Sequence, residues 1–198
     1  MKQVKTLILL TTLLISSVQA FSQFELGVQL GIGAATQSDL GNICKNGNRL
    51  ANLNTGILAN YHANNWVAVK SGLLFVQKGG YWNDTDETYR INYLQLPVKA
   101  SFSSALVEEN NSRIFFATGP YLATRLKAEQ ERAETTTDLK NEVKRTDFGW
   151  AFELGVNLPV STHNIQISLN YDMGISEVYH AEKDVQNKAL SLNLGFLF

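Results

Sequence analysis

Ala189-Leu190-Ser191-Leu192-Asn193-Leu194-Gly195-Phe196-Leu197-Phe198 is the stretch whose reading decides the fold. In an extended chain, side chains alternate between two faces. Leu190, Leu192, Leu194, Phe196 and Phe198 therefore share one face, and Ser191, Asn193 and Gly195 share the other. An apolar face of this length suits a tilted membrane-crossing strand, which needs ~9–11 residues. If the pattern repeats, the chain is a transmembrane β-barrel.

It does repeat. Phe24, Leu26, Val28, Leu30, Ile32 and Ala34 oppose Glu25, Gly27, Gln29, Gly31 and Gly33. Over residues 53–61, Leu53, Ile57, Ala59 and Tyr61 oppose Asn54, Gly56 and Asn60. A third strand runs from Trp66 to Lys78 with Val67, Val69, Leu73 and Phe75 on one face, although Leu74 and Val76 blur the other. Residues 91–102 alternate Leu94, Leu96, Val98, Ala100 and Phe102 with Tyr93, Gln95, Pro97 and Lys99, and Pro97 lacks a ladder donor. Residues 114–126 fit least well, since Phe115 and Phe116 fall on opposite faces and Gly119-Pro120 interrupts them. Phe148, Trp150, Phe152, Leu154, Val156 and Leu158 mark a sixth strand, and Ile165, Ile167, Leu169, Tyr171 and Met173 a seventh. With the last stretch this predicts an all-β, eight-stranded antiparallel up-and-down barrel.

The connections alternate as well. Short links fall at 62–65, 103–112 and 159–164, and long polar ones at 35–52, 79–90, 127–147 and 176–188. Outer-membrane barrels have short periplasmic turns and longer external loops. The expected location is the bacterial outer membrane, with lipid around the wall and both termini on the periplasmic side.

A hydrophobic content of 44% does not separate such a barrel from a soluble one. Eight alternating strands could equally form a lipocalin-like ligand carrier, apolar face inward. Glycine decides for the membrane. The polar face carries Gly27, Gly31, Gly33, Gly56, Gly72, Gly149, Gly155, Gly174 and Gly195. Small residues suit the crowded interior of an eight-stranded barrel, which has room only for packed side chains. Aromatic residues near both strand ends fit the two interfacial girdles of a membrane barrel. The lumen then holds Glu25, Lys70, Lys99, Glu153 and Asp172, which must pair with one another and with amide neighbours as an interior polar network. A salt-bridged plug is the expectation; a small channel is the alternative.

At the amino end, Lys2 and Lys5 precede an apolar run and the small-residue site Val18-Gln19-Ala20. Residues 1–20 read as a secretory signal and 21–198 as the barrel domain. Cleavage removes both lysines and takes the formal charge from −1 to −3. Nucleic acid is not an expected partner of such a chain. Cys44, the single cysteine, reads as a lone thiol in a loop.

No catalytic, cofactor or metal signature stands out. His62, His163 and His180 lie in separate links, and Ser176 with His180 is the nearest approach to a nucleophile and base. Residues 83–87 offer oxygen ligands for calcium but lack the spacing of a calcium loop, so a solvated loop is the plainer reading. The mixed charges of residues 127–147 suggest a mobile or hairpin-like external loop, suited to a protein partner or simply to solubility.

With these residues in view, the chain resembles the PorT-like family of outer-membrane β-barrels of Bacteroidetes-type bacteria. The resemblance rests on Asn92-Tyr93-Leu94-Gln95-Leu96-Pro97-Val98-Lys99, on Gly119-Pro120-Tyr121-Leu122, on Asp147-Phe148-Gly149 leading to Glu153-Leu154-Gly155, and on the terminal Phe198. It implies that Leu190, Leu192, Leu194, Phe196 and Phe198 form the signal read by the barrel-assembly machinery. The family's namesake is linked to a secretion apparatus, so the resemblance implies an accessory of a secretion or envelope system; the missing catalytic signature and the long external loops point to a non-enzymatic structural or partner-binding role.

Overall fold

The computed structural model describes residues 23–39, 47–82, 87–107, 111–132, 135–180 and 185–198. The expected signal segment, Cys44 and most of the calcium-like stretch lie outside the described residues. Ten strands follow in chain order: β1 (Phe24–Asp39), β2 (Gly47–Asn48), β3 (Leu50–His62), β4 (Val67–Trp82), β5 (Glu87–Val107), β6 (Ser112–Arg132), β7 (Thr135–Asp138), β8 (Thr146–Val160), β9 (His163–Gly174) and β10 (Val185–Leu197).

Eight of them form the wall. Each of β1, β3, β4, β5, β6, β8, β9 and β10 pairs antiparallel with the next, and β10 returns to β1. The closing ladder runs from Gly27 opposite Leu197 to Asp39 opposite Val185. Closure leaves the wall without an unpaired edge, which hydrocarbon would not tolerate.

The apolar faces point outward. Leu192 is 56% exposed and Leu169 47%, whereas Glu153 and Asp172 on the opposite face are each 2% exposed. This removes the soluble, inward-facing alternative. Leu190, Leu194, Phe196 and Phe198 share the outer surface with Leu192. Near the short turns, Phe24 packs at a tilt against Tyr61 and Phe196 against His163, both with ring centroids 5.1 Å apart.

The irregular strands have physical explanations. Leu74 and Val76 blurred the alternation of β4 because they point inward and pack with Leu58 and Leu197 in a small apolar cluster on one wall of the lumen. Pro97 faces inward, and the β4–β5 ladder is interrupted beside it, between Val98 and Gln95. Ser71 Oγ donates to the Pro97 carbonyl at 2.8 Å. In β6, Phe115 is buried and Phe116 faces out, so two adjacent rings serve opposite faces of one strand. Gly33 has an exposed side, yet a Cβ built on it would collide with the Leu190 carbonyl oxygen, so β10 crowds it as expected.

The long links are shorter than expected because strands grow into them. β5 and β6 are 21 residues each, about twice what a crossing needs. Stretches read as loop at 79–90 are mostly the ends of β4 and β5, and 127–147 holds the end of β6 and its hairpin partner β7. Beyond the bilayer, alternation loses its cause, so the ladder continues without a sequence signature. Leu126 and Leu106 sit at register shifts in the β5–β6 pair.

Substituting Leu192 by Arg should cost ~2–4 kcal/mol, because the side chain lies in the lipid-facing band, whereas Asn193→Ser should be mild. Urea unfolding in lipid vesicles measures both; equal cost at the two positions would refute the orientation.

Candidate functional site: an ionic lumen beneath a lid

The inner positions of β4, β5, β8 and β9 converge in two tiers. In the tier nearer the short turns, Lys70 Nζ donates to Glu153 Oε1 at 2.9 Å, and Lys99 Nζ donates to Glu153 Oε2. Gln166 Nε2 donates to the same carboxylate at 2.8 Å. The Lys70 ammonium also lies 3.9 Å from the centre of the Phe115 ring. Two cations thus share one anion.

The tier nearer the long loops reverses that ratio. Lys78 Nζ donates to Asp147 Oδ2 at 3.0 Å and lies 4.0 Å from Asp172 Oδ2. Lys78 is fully buried, and the Tyr121 ring sits 4.0 Å below its ammonium. Gln95 Nε2 donates to Asp172 at 2.9 Å. Asn170 joins the tiers: its Oδ1 accepts from Lys99 at 3.2 Å while its Nδ2 donates to Asp172 at 2.7 Å. Formally, one surplus positive charge lies below Asn170 and one surplus negative charge above it.

Of the sequence-derived residues, the structure brings Lys70, Lys99, Glu153 and Asp172 into this connected set. Glu25 stands apart near the short-turn rim, where it accepts from His62 and Asn60 at 3.2 Å and from Asn164. Lys78 and Asp147 were missed, although extending the inward parity of Lys70 along β4, and of Glu153 back along β8, reaches both.

The lid was also missed. Leu139, Val143, Val178 and Tyr179, from the β7–β8 and β9–β10 connections, pack with Ile91, Tyr93, Tyr121, Ala123, Ala128 and Ala151 in a buried apolar cluster over the loop-side mouth. Val143 bridges to Tyr179, Lys144 N–H donates to the Val178 carbonyl at 2.7 Å, and Lys144 pairs with Glu177 at 2.6 Å. Arg125 donates to the Val143 carbonyl from the wall. Tyr179 Oη donates to Gln37, which donates to Asn187, which donates to Tyr93 Oη. Ser176 Oγ donates to Asp147 Oδ1 at 3.1 Å and accepts from Phe148 N–H, so it fastens the lid to the upper tier. His180 contributes a backbone hydrogen bond to Glu142. Among the described residues, no group of three His, Cys, Asp or Glu gathers where an ion could be held.

A closed eight-strand wall, apolar outside and packed with paired charges inside, defines a small transmembrane barrel of the bacterial outer membrane. Residues 16–180 match the outer membrane protein beta-barrel domain family, and the chain belongs to it. Among solved structures, neisserial surface protein A is 13% identical, with 86% of this chain and 95% of that one aligned at a TM-score of 0.52. The outer membrane protein OprG from Pseudomonas aeruginosa is 11% identical, with 88% and 95% aligned at 0.51. These likenesses concern the fold. No curated protein matches the sequence.

Removing one partner from a buried ion pair typically costs ~3–5 kcal/mol, and Glu153→Leu, which leaves Lys70 facing Lys99, should reach that range. Lys70→Met keeps a one-to-one pair of Lys99 with Glu153 and should cost less. Unfolding free energies in vesicles that reversed this order would refute the shared-anion arrangement.

Proposed function

We propose that this protein is a plugged, non-enzymatic outer-membrane barrel that acts through its external face, as a structural or partner-binding accessory of a secretion or envelope system. The filled lumen carries this reading. Lys78, held between Asp147 and Asp172 under the lid, has no exposed surface in the lumen that a solute would need to cross. Wide aqueous channels belong to barrels of ~16 or more strands.

The wall offers a binding surface instead. β5 and β6 rise past the lipid band, and β7 pairs with the end of β6 from Glu129 opposite Asp138 to Arg132 opposite Thr135. All four residues of β7 are exposed. Such an edge presents backbone donors and acceptors that a partner strand can use. Short turns at the end where β1 begins and β10 finishes support periplasmic termini. Exposure of Leu190, Leu192, Leu194, Phe196 and Phe198 in one row supports their being read by the barrel-assembly machinery. The inward Tyr93, Gln95 and Pro97 segment, with Pro97 opposite Tyr121, supports the finer PorT-like assignment.

Two measurements test this. In planar bilayers the purified protein should pass no steady current; sustained conductance would overturn the plug. In intact cells carrying Cys44→Ser, a membrane-impermeant maleimide should label Thr136→Cys directly and Asn64→Cys only after the outer membrane is permeabilised. The opposite pattern would overturn the orientation.

A further inference from the structure

On the outer wall, where β3, β1 and β10 meet, a groove of about 210 Å³ is lined by Ala34, Thr36, Arg49, Tyr171, Lys188 and Leu190 among others. Its geometry follows from register. Thr36 pairs with Lys188 on one side, and Ala35 pairs with Leu50 on the other, which sets Arg49 across from Thr36. Two basic residues therefore flank one threonine at the same height, separated by two strand spacings of ~4.8 Å. Neither forms an ion pair among the described residues.

One step toward the membrane centre, the row changes character. Ala51, Ala34, Leu190 and Tyr171 lie side by side across β3, β1, β10 and β9, and the next outward pair of the β1–β10 ladder is Ile32 with Leu192. The small alanines give the groove its depth. Its floor runs without a break into the surface that meets acyl chains. Arg49 is exposed and Lys188 half-buried, so both can reach an anion held above that floor.

We infer that this groove binds the phosphorylated head group of an outer-leaflet glycolipid, a diphosphoryl lipid A type of molecule, with phosphate between Arg49 and Lys188 and acyl chains on Leu190 and Ile32. Guanidinium and ammonium groups both bind phosphate through charge-assisted hydrogen bonds. Basic pockets at the edge of a hydrocarbon band recognise lipid head groups. A soluble anion would find no enclosing wall here, whereas a lipid already presents its phosphate at this height with its chains on the apolar row. The choice of the outer leaflet rests on the orientation proposed above.

The test uses the full-length protein purified in detergent, where sidedness plays no part, so its outcome is independent of the maleimide labelling. Native mass spectrometry should show diphosphoryl lipid A retained roughly tenfold more than its dephosphorylated form, with inorganic phosphate unable to displace it. Arg49→Gln combined with Lys188→Gln should abolish that preference while keeping the heat-modifiable mobility of a folded barrel; Lys127→Gln with Lys140→Gln, away from the groove, should keep it. Equal retention of both lipid A forms by the unsubstituted protein, or a preference that survives the Arg49/Lys188 change, would overturn the site. Displacement by inorganic phosphate, or equal retention of phosphatidylglycerol, would overturn the glycolipid assignment.

Discussion

A backbone crossing hydrocarbon has no water to bond with, so every peptide N–H and C=O in the wall must find a partner in another strand. Here the pairing of β10 with β1 completes that requirement. The ends of the described chain thereby become neighbours, and no strand within the wall is left with an open side. The tilt and number of strands that permit closure also fix the lumen as a narrow space. Most other features of the molecule answer to that narrowness.

A narrow lumen has to be filled. Aromatic rings do part of this by reaching into the space left by glycines: a Cβ built on Gly149 would fall 2.6 Å from Cζ of Tyr121, and one on Gly155 would fall 2.7 Å from Cζ of Phe115. Those rings in turn sit against Lys78 and Lys70, giving each ammonium a π-face as well as a carboxylate. Above them the contents become apolar, ending in the packed side chains of Leu139, Val143, Val178 and Tyr179. The apolar cap is fastened at its margin by polar contacts, the Lys144–Glu177 pair, Arg125 on the Val143 carbonyl and Ser176 on Asp147.

Period-two alternation marks most of the wall strands, because each strand separates two solvents; the segments of β5 and β6 broken by Pro97 and by Gly119-Pro120 stand out less and lean on the family motifs as well. Where that separation ends, legibility ends. The upper parts of β5 and β6 have no lipid on one side, so nothing imposes a pattern there. The lid residues are single apolar side chains scattered among polar ones, brought together by contacts between distant connections that no local period reveals. Lys78 closes the third predicted strand and Asp147 closes the 127–147 link, so both stand at margins where the inward parity is easily left uncounted. The inner cluster of Leu58, Leu74, Val76 and Leu197 shows a different limit: a lumen of this width is packed, and packing accepts leucine as readily as glutamine.

Neither ionic tier is neutral by itself. Lys70 and Lys99 outnumber Glu153, and Asp147 and Asp172 outnumber Lys78, with Asn170 holding the two surpluses together. The six side chains come from β4, β5, β8 and β9 and form one balanced unit across the lumen. Loss of the shared anion Glu153, which would leave Lys70 facing Lys99, calls for a matching change on a facing stave. Descendants of this barrel should consequently show correlated substitutions between strands that share no hydrogen bond, a historical record of the interior written across the width of the cylinder.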